Sequence, residues 1–383
     1  MNRQFRYIAS AMIVGLAGSV ITSCDDWTEP ESIDIDYITV DKTPTYAEYC
    51  ANLRAYRASD HRKVYAWMNI PATGPTSQAY RLTALPDSTD VVVLDNPSEI
   101  HAVTLEDMAK VRAEKGMEVI YTIDFDAIKA AHTTLCELNA AERTAVEGEI
   151  TKLTADYEAN ENKDSEAVKA EYEAAKAELQ AKLDAIVDPE INDYVLENLT
   201  TQLSYAKKNG LDGVMFAFNG KSSSHMTSAQ LAEYNMQQAV FLGAASDWHK
   251  RNPGLSYDFL GYPQNVTRLD LLDEFRTIFI RQGLDATNGD QFDFYYTQAM
   301  TQGVPAERLG MVSVFPVTDN SADDKTGYLT DGTLAIHALT KFASSSKIAA
   351  VGVYNIQRDY FSAPADNFRN LRDLIQTVNP SIQ

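Results

Sequence analysis

The chain has 383 residues, 45% apolar and 23% charged, with 33 Lys+Arg against 54 Asp+Glu for a net charge of −21. That balance excludes a disordered chain, a collagen-like fibre and a multi-span membrane protein, and the acidic excess argues against nucleic acid as a partner. The length suits one large α/β barrel, which runs to roughly 250 residues or more as a single unit.

The first residues read as an address. Arg3 and Arg6 precede an apolar run from Ile8 to Ile21 that is too short and too rich in Gly and Ala for a membrane span. It ends in Val20-Ile21-Thr22-Ser23-Cys24, which resembles a bacterial lipobox, whose cysteine is lipidated. An ordinary signal peptide with a chance cysteine is the plainer alternative. Residues 1–23 are therefore expected to be a lipoprotein signal peptide, and 24–45 a lipidated Cys24 with a flexible polar tether. Asp25 and Asp26 resemble the surface-export signal of Gram-negative lipoproteins, although a solvated linker would look the same. The expected location is the outer membrane, through a lipid anchor and facing the cell surface. Cys50 and Cys136 are then the remaining cysteines, and they read as two thiols rather than a bridge.

From residue 46 to 383 short apolar runs alternate with helical stretches. The runs are Lys63–Ile70, Thr89–Asp95, Met117–Phe125, Leu211–Asn219, Leu255–Tyr262, Phe292–Met300, Leu309–Pro316 and Ile348–Asn355. Eight strands alternating with helices predict a (β/α)8 TIM barrel. The step from the sixth run to the seventh is too short for a full helix, so that unit is trimmed or misread. The step from the third to the fourth is about twice too long, and an insert is expected over 138–190. Within it Val146, Ile150, Leu153 and Tyr157 share one helical face, and Val168, Tyr172, Leu179, Leu183 and Ile186 share another. The polar stretch Asn160 to Asp164 either reverses the chain into a helical hairpin or continues one long helix. Such an insert is decoration or a docking arm for a partner.

The fourth run reads Leu211-Asp212-Gly213-Val214-Met215-Phe216-Ala217-Phe218-Asn219. Alternation places Met215, Ala217 and Asn219 on the barrel axis and Val214, Phe216 and Phe218 under the helices. This strand resembles the signature of glycoside hydrolase family 18, D-G-x-D-x-D-x-E. Asp212 and Gly213 match its opening pair, while Met215, Ala217 and Asn219 stand where Asp, Asp and Glu belong. Lys63 to Asn69 is similar to the family's first strand. Gly254 to Pro263 and Ala349 to Ile356 are similar to the fifth and eighth strands of its endo-β-N-acetylglucosaminidase branch. Gln298-Ala299-Met300 stands where that branch often has Gln-x-Tyr, so Met300 is a further departure. In the family the Glu protonates the glycosidic oxygen and the last Asp orients the 2-acetamido group. The resemblance implies that this mechanism is absent, because Asn219 cannot act as the acid and Ala217 can orient nothing.

The remaining groups suit sugar binding, which needs aromatic platforms beside amides and hydroxyls. Candidate ligand-binding residues are Trp67, Asn69, Asn219, Tyr262, Gln264, Tyr296, Gln298, Asn355, Gln357 and Tyr360, with Asn219 foremost. Asp95, Asp124 and Asp126, at the ends of the second and third strands, are either replacement acids or helix caps. No cofactor is expected, and the scattered histidines offer no metal site. The expected function is that of a catalytically inactive surface lipoprotein binding oligosaccharide, with the resemblance implying GlcNAc-containing N-glycan, near an outer-membrane glycan-uptake complex. The rivals are an endoglycosidase with a relocated acid and a partner-docking protein that uses the insert.

Overall fold

The computed structural model describes residues 44–316, 326–364 and 366–380. The chain divides into a unit of residues 1–49, described only from 44 onward, and a compact unit of residues 50–383. The expected signal peptide, Cys24 and nearly all of the expected tether lie outside the described residues.

In the second unit eight parallel strands close into a barrel in sequence order. They are β1 (Lys63–Met68), β2 (Val91–Leu94), β3 (Glu118–Asp124), β4 (Gly213–Phe218), β5 (Ser256–Gly261), β6 (Ile278–Ile280), β7 (Leu309–Val314) and β8 (Ala350–Tyr354). The helices are α1 (Pro44–Ala58), α2 (Ala102–Lys115), α3 (Phe125–Glu158), α4 (Glu166–Ala185), α5 (Ile191–Lys208), α6 (Ser228–Gln238), α7 (Ala244–Arg251), α8 (Asp290–Thr301), α9 (Ala335–Ser345) and α10 (Arg369–Val378).

The expected sixth strand is corrected. Phe292 to Met300 lies within α8, and the true sixth strand is the three-residue β6. Phe292, Tyr296 and Ala299 recur at helical spacing and are the buried residues of α8, so its aromatic run is one helical face rather than a strand. The match of Gln298-Ala299-Met300 to a strand end falls with it.

The insert is a hairpin, reversed at the polar stretch, but it begins earlier than expected. Helix α3 leaves directly from the end of β3, since the Asp124 carboxylate accepts the backbone N–H groups of Asp126 and Ala127 as an N-cap. It runs 34 residues, and α4 returns along it. The expected faces meet, with Val146 and Tyr172 buried and the Tyr157 and Tyr172 rings stacked 4.1 Å apart. Cys50 is buried and Cys136 half-buried, and both are free.

Two cores follow from strand alternation. Met215 and Ala217 join Tyr65, Trp67, Val91, Val93, Ile120, Leu260, Phe279 and Val312 inside the barrel. Val214, Phe216 and Phe218 pack in the larger outer core under the helices. The inward and outward sets of β4 are those the sequence predicts.

The amino-terminal end of the barrel is closed by charge. Buried Asp258 accepts from Tyr65 Oη at 3.0 Å and Arg276 Nη2 at 2.8 Å, and the other side of Arg276 pairs with Glu118. Nearby, buried Asp90 takes Arg57, His61 and the Val64 N–H. The Asp212 carboxylate takes Arg112 Nε and the Val119 N–H, each at 2.7 Å, and so ties β4 to α2 and β3. A Cβ on Gly213 would collide with the backbone of Ser256 on β5, so close strand packing requires glycine there. Gly213→Ala is expected to lower stability by about 1–3 kcal/mol, as overpacking does. A urea midpoint equal to that of the parent, with the same slope, would contradict this account.

Candidate functional site

At the carboxyl ends of the strands, where barrel sites are built, side chains from four strands, the segments after β2 and β6, and two helices surround a cavity of about 390 Å³. Its floor is the Trp67 indole, only 1% exposed, with the half-buried Tyr354 ring stacked on it at 4.5 Å and 15°. The Phe279 ring stands edge-on to the indole at 5.5 Å. Gly352 makes room for this arrangement, because a Cβ there would strike the indole. The glycine of the Ala349-Ala350-Val351-Gly352 run thus has a packing cause. Trp67 is the base of the cavity, and Tyr354, absent from the sequence candidates, is the ring presented above it.

The walls carry the polar groups. Asp95 follows β2, Thr122 and Asp124 come from β3, Arg281 follows β6, and Asn198 and Gln202 come from α5. Arg281 Nη1 donates to Asp124 Oδ2 at 2.7 Å across the mouth, so this carboxylate both caps α3 and holds an ion pair. The capping reading of Asp124 therefore holds. Arg281 was not legible from the sequence, because its strand was placed elsewhere.

Asp95 behaves differently. It is exposed at the rim of the cavity, and partial burial of its carboxyl there lifts its pKa to about 6. Burial and then the neighbouring Asp124 also raise the Asp126 carboxyl, against a hydrogen bond from the Asn219 side chain.

Asn219 sits at the mouth end of β4, where the sequence places it. Its backbone carbonyl accepts from Asn265 Nδ2 at 2.9 Å, and its Oδ1 is buried without a partner. With Met215 and Ala217 inside the core, none of the three inward positions of β4 carries a carboxylate. Two of the cavity's lining residues carry buried polar atoms without partners, Trp67 Nε1 and Thr122 Oγ1; Asn219 Oδ1 and Gln264 Oε1 are two more outside that lining.

The other candidates separate. Tyr262 is half-buried after β5, in the field of Asp285, Arg281 and Asp126, and burial raises its hydroxyl pKa. Gln264 Nε2 donates to Gln282 Oε1 at 2.8 Å, and Gln282 reaches Gln298 at 3.5 Å, so Gln298 joins an amide chain from α8 rather than from a strand. Tyr296 leaves the site altogether: it packs on Phe342 of α9 in the outer core, with its hydroxyl toward Arg62 and Glu307 at the opposite end of the barrel. Asn69 is exposed beyond β1 and lines none of the described cavities. Asn355, at φ 56°, turns the chain out of β8 in the left-handed conformation that Asn tolerates. Tyr360 packs against Phe361 and Phe368, and Gln357 faces a separate groove. Among the described residues no three His, Cys, Asp or Glu side chains assemble as metal ligands.

A family model described as glycoside hydrolase family 18, BT1044-like, matches residues 28–163 and 152–377. The fold is similar to a selenomethionine BT1044 variant, with a TM-score of 0.55 at 14% identity over 88% of this chain and 94% of that one. It is also similar to apo endo-beta-N-acetylglucosaminidase from Cordyceps militaris, with a TM-score of 0.51 at 13% identity over 87% and 96%. At such identities the likeness establishes the fold alone. No curated protein sequence matches the chain.

The raised Asp95 carboxyl has a consequence for stability. The folded state holds this proton more tightly than the unfolded chain, whose Asp titrates near ~3.9. Its contribution to stability is complete below that value and is lost as pH rises toward about 6. Asp95→Asn should therefore raise the Tm at pH 7.5 and leave it unchanged at pH 3.5. A carboxyl NMR titration of Asp95 centred near 4 would refute this.

Proposed function

The chain belongs to glycoside hydrolase family 18, in its BT1044-like group, and we propose that within this family it is a glycan-binding barrel without hydrolase activity. The observation that carries the reading is a cavity floored by the Trp67–Tyr354 stack, with two unpaired polar atoms in its lining residues, Trp67 Nε1 and Thr122 Oγ1. A buried polar atom left unmatched costs about 1–3 kcal/mol, and a ligand's hydroxyls would satisfy such atoms. The ring pair supplies the apolar surface that a sugar's own face needs. We take the ligand to be a GlcNAc-containing oligosaccharide of N-glycan type, the chemistry of the family's endo-β-N-acetylglucosaminidase branch.

Inactivity is supported by the chemistry of β4. Substrate-assisted hydrolysis needs a general acid at the strand's end and a carboxylate before it to orient the acetamido group. Asn219 and Ala217 can do neither. The leader and Cys24 extend the proposal to a lipid-anchored protein of the outer membrane, facing outward and holding oligosaccharide for an uptake complex; the lipobox-like sequence is its support.

One observation favours a second reading, an active endoglycosidase with a relocated acid. Asp95, with its pKa near 6, lies in the cavity and has the proton affinity of a general acid, while Asp124 is committed to Arg281 and α3.

Calorimetry of the chain from Asp25 onward with N-glycans and chitooligosaccharides, followed by mass spectrometry of the same samples, separates the two. Saturable heat with intact sugars is expected. Tyr354→Ala should weaken binding about tenfold or more, and Asn219→Ala by about three- to tenfold. Cleaved sugars would overturn the binding-only reading, and cleavage lost in Asp95→Asn would put the relocated acid in its place.

A further inference from the structure

A second hollow, of about 540 Å³, opens between the segment before β2, the end of β7 and the turn after β8. Four aromatic rings, Tyr80, Phe315, Tyr328 and Phe361, line it, and Phe361 is 70% exposed. Gln357 and Arg358 of the 3-10 turn Ile356–Phe361, followed by Ser362, supply its polar side chains besides the tyrosine hydroxyls. Gln357 is 5% exposed, and its Oε1 has no partner. Arg358 is exposed, with no side-chain partner among the described residues.

The turn is held in place from below. Buried Asp359 accepts from Ser362 Oγ at 2.6 Å, Asn370 Nδ2 at 2.7 Å and the Leu371 N–H at 2.8 Å. Asn355 sets the direction of the turn through its left-handed backbone. Gln357 and Arg358 are therefore presented by a fixed scaffold.

The charge of the hollow's described lining is opposite to that of the chain. The molecule carries a net −21, yet among the described residues no Asp or Glu lines the hollow, and Arg358 is the one charged residue of that lining. The central cavity, by contrast, carries two aspartates against one arginine. A guanidinium without a carboxylate, beside ring faces and an unpaired amide oxygen, is complementary to a sugar that bears both hydroxyls and a carboxylate.

We propose that this hollow is a second glycan subsite that takes a carboxylate-bearing sugar, with Arg358 holding the carboxylate, Gln357 Oε1 accepting from a hydroxyl and the aromatic rings packing on the ring face. The inference rests on the reading of the protein as a glycan binder. It adds a charge preference that the central cavity does not supply.

The test is calorimetry with three probes: a biantennary N-glycan ending in sialic acid, the same glycan after desialylation, and an oligosaccharide ending in glucuronate. The parent protein should bind at least one acidic probe about tenfold more tightly than the desialylated glycan, and added salt should shrink the difference. Which acidic probe binds decides between a sialic and a uronic acid. Arg358→Gln should abolish the preference and leave affinity for the desialylated glycan unchanged, with an unaltered melting curve as the folding control. Phe361→Ala should weaken acidic probes alone. Equal affinity for all three in the parent protein would overturn the second subsite and leave the glycan reading standing. A preference that survives Arg358→Gln would overturn its assignment to this hollow. No binding of any probe would overturn both.

Discussion

The Asp124 carboxylate faces two ways: Oδ1 takes the first backbone N–H groups of α3, and Oδ2 takes Arg281 from across the mouth. Charge-assisted bonds of this kind are shorter and stronger than neutral ones, so a single side chain fixes two things. It starts the hairpin at the strand's end, and it ties β3 to the segment after β6. The cavity wall formed by Ala127, Ile128 and Ala131 is the next turn of the same helix. The shape of the cavity therefore depends on this carboxylate more than on any residue of β4.

Strand β4 divides its residues between holding the fold and filling the barrel. Asp212 and Gly213 serve the fold, the first by binding Arg112 and the Val119 N–H, the second by allowing β5 to approach. Met215 and Ala217, the inward residues that follow, belong to the inner core.

Period-two alternation made β4 legible, because a strand buried on both faces still sorts its side chains strictly by parity. The hairpin was legible for the same kind of reason, through apolar faces at helical spacing. The sixth strand was not. Three residues are too few to show a period, and the Phe292 to Tyr296 run offered a denser aromatic signal that belongs to a helix. That single misplacement hid Arg281 and drew Tyr296 into the candidate site. Asn219 lies at the mouth end of β4, as the sequence reading places it, because position along a strand determines that. Tyr354 as the presented ring, and the division of labour between Asp95 and Asp124, depend on which neighbours a fold brings together, and a linear sequence does not state that.

Helix α3 begins in the wall of the cavity and ends at Glu158, with α4 packed along it as a brace. At 1.5 Å per residue its 34 residues make a rod of about 50 Å. The tip of the rod and the wall of the cavity are one piece of secondary structure. A tilt of a few degrees moves the tip by several ångströms and the wall by a fraction of one. A load at the tip is thus a torque at the cavity, with Asp124 as the fulcrum.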